Sequence, residues 1–363
     1  MIKNDIEESD IAIETEQKDP IAFFNSIYEL YEKAEASVGG AVNRFYDIAG
    51  FKIQLRFAGE ALIPYKTPAL GHLEIEPVPH PDLTICLWDS TSTKTIMPPP
   101  PWRRIDHHPK RGEIHGFNTD RIHTSFQWGA FALSLLDSHR NLGIYWVDTT
   151  EQIPYWETGS PLRSIFNVWM SKRGIQLVHG GAVGLPSGGV LLVGKGGSGK
   201  STTALTCINS ELFYASDDYS LITCEPKPTV FSIYNTGKKN ADDVNRLPFL
   251  AEAISNSDRL DSEKAVYFIN KHFPEKILKS FPIRAVLVPR ITGKTDTSLT
   301  PTSAAAALAS LVPSTMIQLA GAGKEACQIM MQVLKQVPCY YLELGTDLEQ
   351  IPQIIVKLLS ENN

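Results

Sequence analysis

Gly189-Val190-Leu191-Leu192-Val193-Gly194-Lys195-Gly196-Gly197-Ser198-Gly199-Lys200-Ser201, followed downstream by Leu212-Phe213-Tyr214-Ala215-Ser216-Asp217-Asp218, decides how this chain is read. From Gly194 to Ser201 it satisfies G-x-x-x-x-G-K-[ST], a Walker A pattern. An apolar strand-like run precedes the pattern and a helix-like run carrying Ala204, Leu205 and Ile208 follows it, which is the context it needs. Glycines let successive backbone N–H groups converge on phosphate oxygens. Gly194, Lys195, Gly196, Gly197, Ser198, Gly199, Lys200, Ser201 and Thr202 are therefore the nucleotide-binding candidates. Lys200 would neutralise the β- and γ-phosphates of ATP, and the Ser201 hydroxyl would ligate Mg2+. The bland alternative, a glycine-rich turn with an accidental lysine, leaves the strand-loop-helix context unexplained. Gly293-Lys294-Thr295 and Gly323-Lys324 lack the leading glycine and read as loop residues.

A phosphate loop needs a carboxylate at the end of a neighbouring strand, and residues 212–216 deliver Asp217 and Asp218. Successive side chains on extended backbone point in different directions, so one carboxylate can hold the metal while the other faces an incoming hydroxyl as general base. The competing reading is a surface Asp-Asp turn, which the preceding apolar run argues against. Upstream, residues 178–185 read as a strand, 186–189 as a tight turn and 190–193 as the return strand. Setting Leu185 opposite Val190 puts His179 opposite Gly196, where an imidazole could bond the base carboxylate or the transferred phosphoryl group. A core histidine satisfied by backbone is the alternative.

Bulk composition narrows the class. With 363 residues, two domains with proper cores are expected. The net charge of -6 gives no global attraction to nucleic acid or anionic lipid. Five cysteines, odd in number and without a C-x-x-C pair, point to a reducing compartment. Residues 1–20 read as a disordered acidic tail, unlike a signal peptide, and residues 304–320 are too interrupted to span a membrane. A soluble cytoplasmic protein is expected, with no membrane or nucleic-acid partner and with a homo-oligomer permitted.

Along the chain, residues 21–36 carry apolar side chains at helical spacing, and residues 50–150 are rich in strand patterns such as Lys52-Ile53-Gln54-Leu55-Arg56-Phe57. Four prolines, Pro98 to Pro101, make a stiff surface connection. Ser160-Pro161 reads as the capped start of a helix that closes at Lys172-Arg173-Gly174. Strand-like and helix-like segments then alternate, and Thr346-x-x-Glu349 reads as a capping box opening the last helix. The expected fold class is α/β with a mixed sheet, divided into a β-rich α+β N-terminal domain over residues 21–160, for substrate or partner binding, and a P-loop kinase domain over residues 161–363.

With His179-Gly180, the hairpin, residues 194–201 and Ser216-Asp217-Asp218 in this order, the segment resembles the catalytic core of the HPr serine kinase family, whose wider fold is similar to phosphoenolpyruvate carboxykinase. These motifs cover about a tenth of the chain. Tyr234-Asn235-Thr236-Gly237-Lys238, Leu287-Val288-Pro289-Arg290 and Leu311-Val312-Pro313-Ser314-Thr315 resemble segments of HPr-kinase-like proteins found alongside ribosomally made peptides, lasso peptide kinases among them. The resemblance implies a kinase that phosphorylates a Ser or Thr hydroxyl of a peptide or protein, with Asp217 as base, Asp218 and Ser201 on the metal side, Lys200 as phosphate clamp and His179 beside the base. The order within the Asp pair stays open. The glycine-rich signature of phosphorylase activity has no match, so the reverse reaction is not expected. Lys238 and Arg290 are the candidate extra cations for the transferring phosphoryl group, against the plainer readings of a solvated lysine and a strand-ending arginine. His107, His108, His115 and His123 lack the spacing and the cysteines of a zinc site.

Three other readings remain. A nucleotide switch or mechanical NTPase is disfavoured because Asn270-Lys271-His272-Phe273 lacks the aspartate of a guanine-reading motif. A kinase of a small metabolite such as free serine differs only in the size of its acceptor pocket. A non-transferring regulator leaves the Asp217-Asp218 pair without a purpose.

Overall fold

The computed structural model describes residues 19–108 and 111–361. The expected acidic tail lies outside the described residues except for Asp19 and Pro20. Asp19 caps the first helix, Pro20–Ser37, by accepting from the Ile21 and Ala22 amides, with proline at the first turn where a missing N–H costs nothing. Phe24, Ile27, Tyr31 and Ala34 form its buried stripe.

That stripe covers one face of a seven-stranded mixed sheet ordered Glu74–Ile75, Ala41–Ile48, Phe51–Ala58, Leu83–Asp89, Leu142–Val147, Ala132–Asp137 and Ile122–Gln127. In Phe51–Ala58, Ile53, Leu55 and Phe57 are buried and the residues between them are half-buried, as the alternation predicts. The central strand Leu83–Asp89 runs parallel to both neighbours and is buried on both faces.

The second sheet has nine strands, and both parallel and antiparallel pairs occur in it. Its axis is the long strand Ser280–Ile291, which pairs antiparallel with Thr229–Ser232 at its start and parallel with Gly188–Val193 and Cys339–Leu344 further on. The α/β class with mixed sheets is thus what the structure shows. Helix Arg163–Ser171 lies at the junction, with Ile165, Phe166 and Trp169 in one apolar cluster that also holds Ile85 and Leu87 of the first sheet and Leu177, Leu191 and Val230 of the second. The boundary expected at residues 160–161 runs through this shared core. A separate cluster beneath the glycine loop joins Leu205 and Ile208 to Ile351 and Ile355 of the last helix, Gln350–Glu361. No helix among the described residues is long and apolar enough to cross a membrane.

Five local expectations need correction. Ser160 does not open a helix. It ends the short helix Tyr155–Gly159, and the next helix begins at Arg163 after Leu162 adopts a left-handed conformation at φ 60°. The last helix starts at Gln350, and the Glu349 amide bonds to the Asp347 side chain, so Thr346 is not its cap. Residues 178–185 are not one strand, because the chain breaks at His179 between Gln176–Val178 and Gly180–Leu185. The hairpin register also shifts, with Leu185 opposite Gly188 and Gly180 opposite Val193, which brings His179 level with Gly194 instead of Gly196. Gly188 and Gly189 serve the ladder, not the turn. A Cβ on Gly189 would sit 2.4 Å from the Phe281 ring, and one on Gly184 would sit 2.4 Å from the Gly189 Cα.

Candidate functional site

Two strand breaks at the same level build the site. Gln176–Val178 pairs with Ser220–Thr223, and Gly180–Leu185 pairs with Phe213–Ser216. His179 occupies the gap between Gln176–Val178 and Gly180–Leu185, and Asp217, Asp218 and Tyr219 the gap between Phe213–Ser216 and Ser220–Thr223. A Cβ on Gly181 would lie 2.7 Å from the Asp217 carbonyl, so the bare glycine is what admits this approach. His179 Nε2 consequently lies 2.8 Å from Asp218 Oδ1. Behind the imidazole, helix Ala304–Gln318 supplies the Thr315 hydroxyl to the His179 amide at 3.1 Å and the Gln318 amide to Nδ1 at 3.4 Å.

A short ribbon brings the cation. Thr236–Lys239 pairs with Ala265–Phe268 and crosses the helix Lys200–Thr206 at Gly237, where a Cβ would meet Leu205 at 2.5 Å. The Lys238 amide donates to Asp217 Oδ2 at 2.9 Å. The Lys238 ammonium donates to Asp218 Oδ2 at 3.0 Å and to the Ser160 hydroxyl at 2.9 Å. Lys239 reaches the Thr202 hydroxyl at 3.2 Å.

The two carboxylates occupy unlike places. Asp217 is fully buried, and its Oδ1 has no hydrogen-bond partner. Burial, and then the neighbouring Asp218 charge, push its pKa up to about 6, while the Ser201 hydroxyl and the Lys238 amide pull the other way. The side chain of Asp218 is 27% exposed and lines the cleft. Burial acts on it too, but the Lys238 ammonium and His179 outweigh that and hold its carboxyl well below the usual carboxylate range.

The cleft itself holds about 650 Å³. Gly196, Gly197, Gly199, Lys200, Ser201 and Thr202 line it together with His179, Asp218 and Lys238. Gly199 sits at φ 106°, and a Cβ there would be 2.3 Å from Leu344 Cδ1, so only glycine fits. Lys200 is buried, with its ammonium on the Gly194 carbonyl at 2.7 Å and the Lys195 carbonyl at 3.2 Å. Its burial lowers its pKa, against the pull of Asp218 and Asp217. The Ser198 hydroxyl is buried without a partner. Gly194 and Ser198 shape the base of the loop, and Lys195 projects outward.

Arg290 stands apart from these groups. It lies over the Tyr341 ring and 3.9 Å from Glu343, outside the cleft lining, which its neighbour Ile291 does reach. His107 bonds the Phe126 carbonyl, and His123 is half-buried in the first sheet with its Nε2 enclosed. No group of three His, Cys, Asp or Glu among the described residues is placed to cage a metal. The chemistry of the donor set fits Mg2+, which takes one or two carboxylates and completes its shell with phosphate oxygens and water. Asp217 Oδ1, a buried oxygen without a partner on a carboxyl that the Ser201 hydroxyl also acts on, is the observation that supports this fit.

Sequence reasoning did not single out Ser160, Tyr219 or Gln318 as site residues. Only the Gly180-Gly181 pair carried a signal, since adjacent glycines within a strand mark a close backbone approach.

No family model matches the chain, and no curated protein matches it. Among solved structures, the Hpr(Ser) kinase/phosphatase from Coxiella burnetii aligns with 51% of this chain and 95% of its own length, at 11% identity and a TM-score of 0.29. A likeness that slight carries no argument about what this chain does.

Proposed function

We propose that the chain is an ATP-dependent phosphotransferase of the P-loop type, acting on a Ser or Thr hydroxyl of a peptide or protein. One observation carries the reading: a carboxylate, Asp218, faces the glycine-loop cleft, held by His179 at 2.8 Å and Lys238 at 3.0 Å. A pure phosphate-binding loop has no need of that second acid.

The roles within the Asp pair are reversed from the order that the family resemblance implies. Asp218 lines the cleft and is the base. Asp217, buried with an unused oxygen, joins Ser201 on the metal side. Bound there, Mg2+ would screen charge on the phosphate oxygens. The acceptor hydroxyl donates its hydrogen bond to Asp218 and attacks the γ-phosphorus of ATP; the bond to the β,γ-bridging oxygen breaks, ADP leaves, and Asp218 takes the proton. A strongly acidic carboxyl serves because a loose transition state removes that proton late. Lys200 and Lys238 supply the positive charge that spreads over the transferring oxygens. His179 keeps Asp218 oriented, and Ser160 helps to hold Lys238. Arg290 has no part in this assignment. The motif resemblance favours a ribosomally made precursor peptide as acceptor, and the domain ending near residue 160 supplies one cleft wall through Gln127, Tyr155 and Trp156.

The test incubates the full chain with ATP, Mg2+ and a peptide library and reads intact masses. Transfer to Ser or Thr, lost in Asp218→Asn while nucleotide affinity stays within about threefold, is the expected result. Steady ATP hydrolysis without transfer to any peptide would replace the kinase with a nucleotide switch.

A further inference from the structure

Across the cleft from the glycine loop stands an arginine that the phosphate chemistry does not use. Arg163 opens the helix at the junction of the two sheets and lines the cleft. Its guanidinium carbon lies 5.4 Å from the Trp156 ring centre and 5.2 Å from that of Tyr219. Nη1 donates to the Tyr219 hydroxyl at 2.7 Å, and Nε is buried without a partner. The acid nearest in the fold is already engaged, since Glu157 is 2.6 Å from the buried ammonium of Lys66. Among the described residues no carboxylate lies within ion-pair distance of Arg163. A guanidinium is charged at any working pH, and partial burial without a counter-ion is costly.

The Tyr219 ring ties this cation to the reacting groups. His179 packs against it with ring centres 5.5 Å apart, and Lys238 Nζ lies 5.9 Å from its centre. The Tyr219 hydroxyl is fixed from the other side by Gln318 at 2.6 Å, the residue that also touches His179. Arg163 and the two groups that hold Asp218 therefore border one aromatic ring. Arg163 and Asp218 line the same cleft, so an acceptor with its hydroxyl at Asp218 can present a nearby group to the guanidinium.

We infer that Arg163 is the specificity residue of the acceptor side, and that it selects acceptors carrying a carboxylate close to the hydroxyl to be phosphorylated. A planar guanidinium set between two aromatic rings, lining the cleft with no carboxylate partner of its own, matches a carboxylate fork. The proposal rests on the kinase reading given above and narrows its substrate class. The carboxylate has two sources, an acidic side chain beside a peptide Ser or the α-carboxylate of a free hydroxy amino acid.

The experiment uses two matched pairs: a nonapeptide with Asp on both sides of its Ser against the same peptide with Asn, and L-serine against L-serinamide. Binding to the full chain is read by calorimetry, independently of transfer, and phosphorylation is then measured on the same compounds. One charged hydrogen-bonding pair is expected to favour the carboxylate member of at least one pair by about 10- to 100-fold. Arg163→Gln should reduce that preference to within about threefold while leaving ATP affinity unchanged, which also shows that the variant folds. Tyr219→Phe, which frees the guanidinium from its hydroxyl anchor, should reduce it in part. Preference in the peptide pair assigns the acidic side chain, and preference in the serine pair assigns the α-carboxylate. Equal binding within both pairs, or a preference that survives Arg163→Gln, overturns the inference and leaves the kinase intact. Carboxylate-selective, Arg163-dependent binding without any phosphate transfer supports the subsite and overturns the kinase.

Discussion

Asp217→Asn should stabilise this protein at neutral pH although it alters the centre of the site. The carboxyl is fully buried and its pKa is raised from 3.8 to about 6, chiefly by burial and then by Asp218. A raised carboxyl pKa means that the folded chain holds its proton more tightly than the unfolded chain does. The associated stability is complete below the unfolded pKa and is lost as pH rises through the folded one. Two pKa units correspond to about 3 kcal/mol at the end of that rise. Asparagine does not titrate, keeps an oxygen for the Lys238 amide, and places an NH2 where Oδ1 has no partner, at a cost of about 1–3 kcal/mol. The variant should therefore be level with or below the parent near pH 4 and above it near pH 8. The difference between the two should climb by about 2 kcal/mol from about pH 4.5 to 8, or about 3–4 °C in Tm. Calorimetric melting from pH 4.5 to 8 at fixed ionic strength measures this. An offset that stays flat across the range, or falls with rising pH, refutes the argument that an uncompensated buried charge sits at Asp217. On the proposed assignment of Asp217 to the metal side, the same variant should gain less Tm than the parent on adding ATP with Mg2+.

Other positions test other parts of the arrangement. His179→Asn should lower kcat for transfer by about 10²-fold with KM for ATP nearly unchanged, since the imidazole touches Asp218 and not the glycine loop; a change confined to KM would contradict this. Gly199→Ala combines a left-handed backbone with a 2.3 Å clash on Leu344, and should lose at least about 2 kcal/mol of stability together with nucleotide binding, read by melting and calorimetry. Lys66→Met leaves Glu157 buried and uncompensated and should cost about 3–5 kcal/mol in urea unfolding. Adding Glu157→Met should restore most of that loss; an additive loss in the double variant would show that packing, not charge, is responsible.

Much of the site was legible because its parts are local. The glycine loop is a contiguous pattern, and residues 212–216 announce a strand that must end at two acids. Helix Pro20–Ser37 and the alternating strand Phe51–Ala58 are likewise written in nearest-neighbour periodicity. Apart from the start of the last helix, the misplaced features depend on a partner distant in sequence. Ser160 has the look of a cap, yet its hydroxyl serves Lys238, far along the chain. Gly188 and Gly189 look like turn residues, yet the Arg284 side chain occupies the place of a Cβ on Gly188, and the Phe281 ring and the facing Gly184 the place of one on Gly189. Arg290 looks like a phosphate cation, yet Tyr341 and Glu343 on the adjacent strand hold its side chain.

By itself, then, the sequence determined the alternation of strands and helices, the glycine loop and the acids that follow it, because each is set by bonds and steric limits between residues close in the chain. Tertiary structure decided which of Asp217 and Asp218 faces the cleft, which side chains hold His179 and Lys238, and where Arg163 points. Those outcomes turn on desolvation and charge at a point where distant strands break together, and adjacent residues there meet opposite environments that no local pattern encodes.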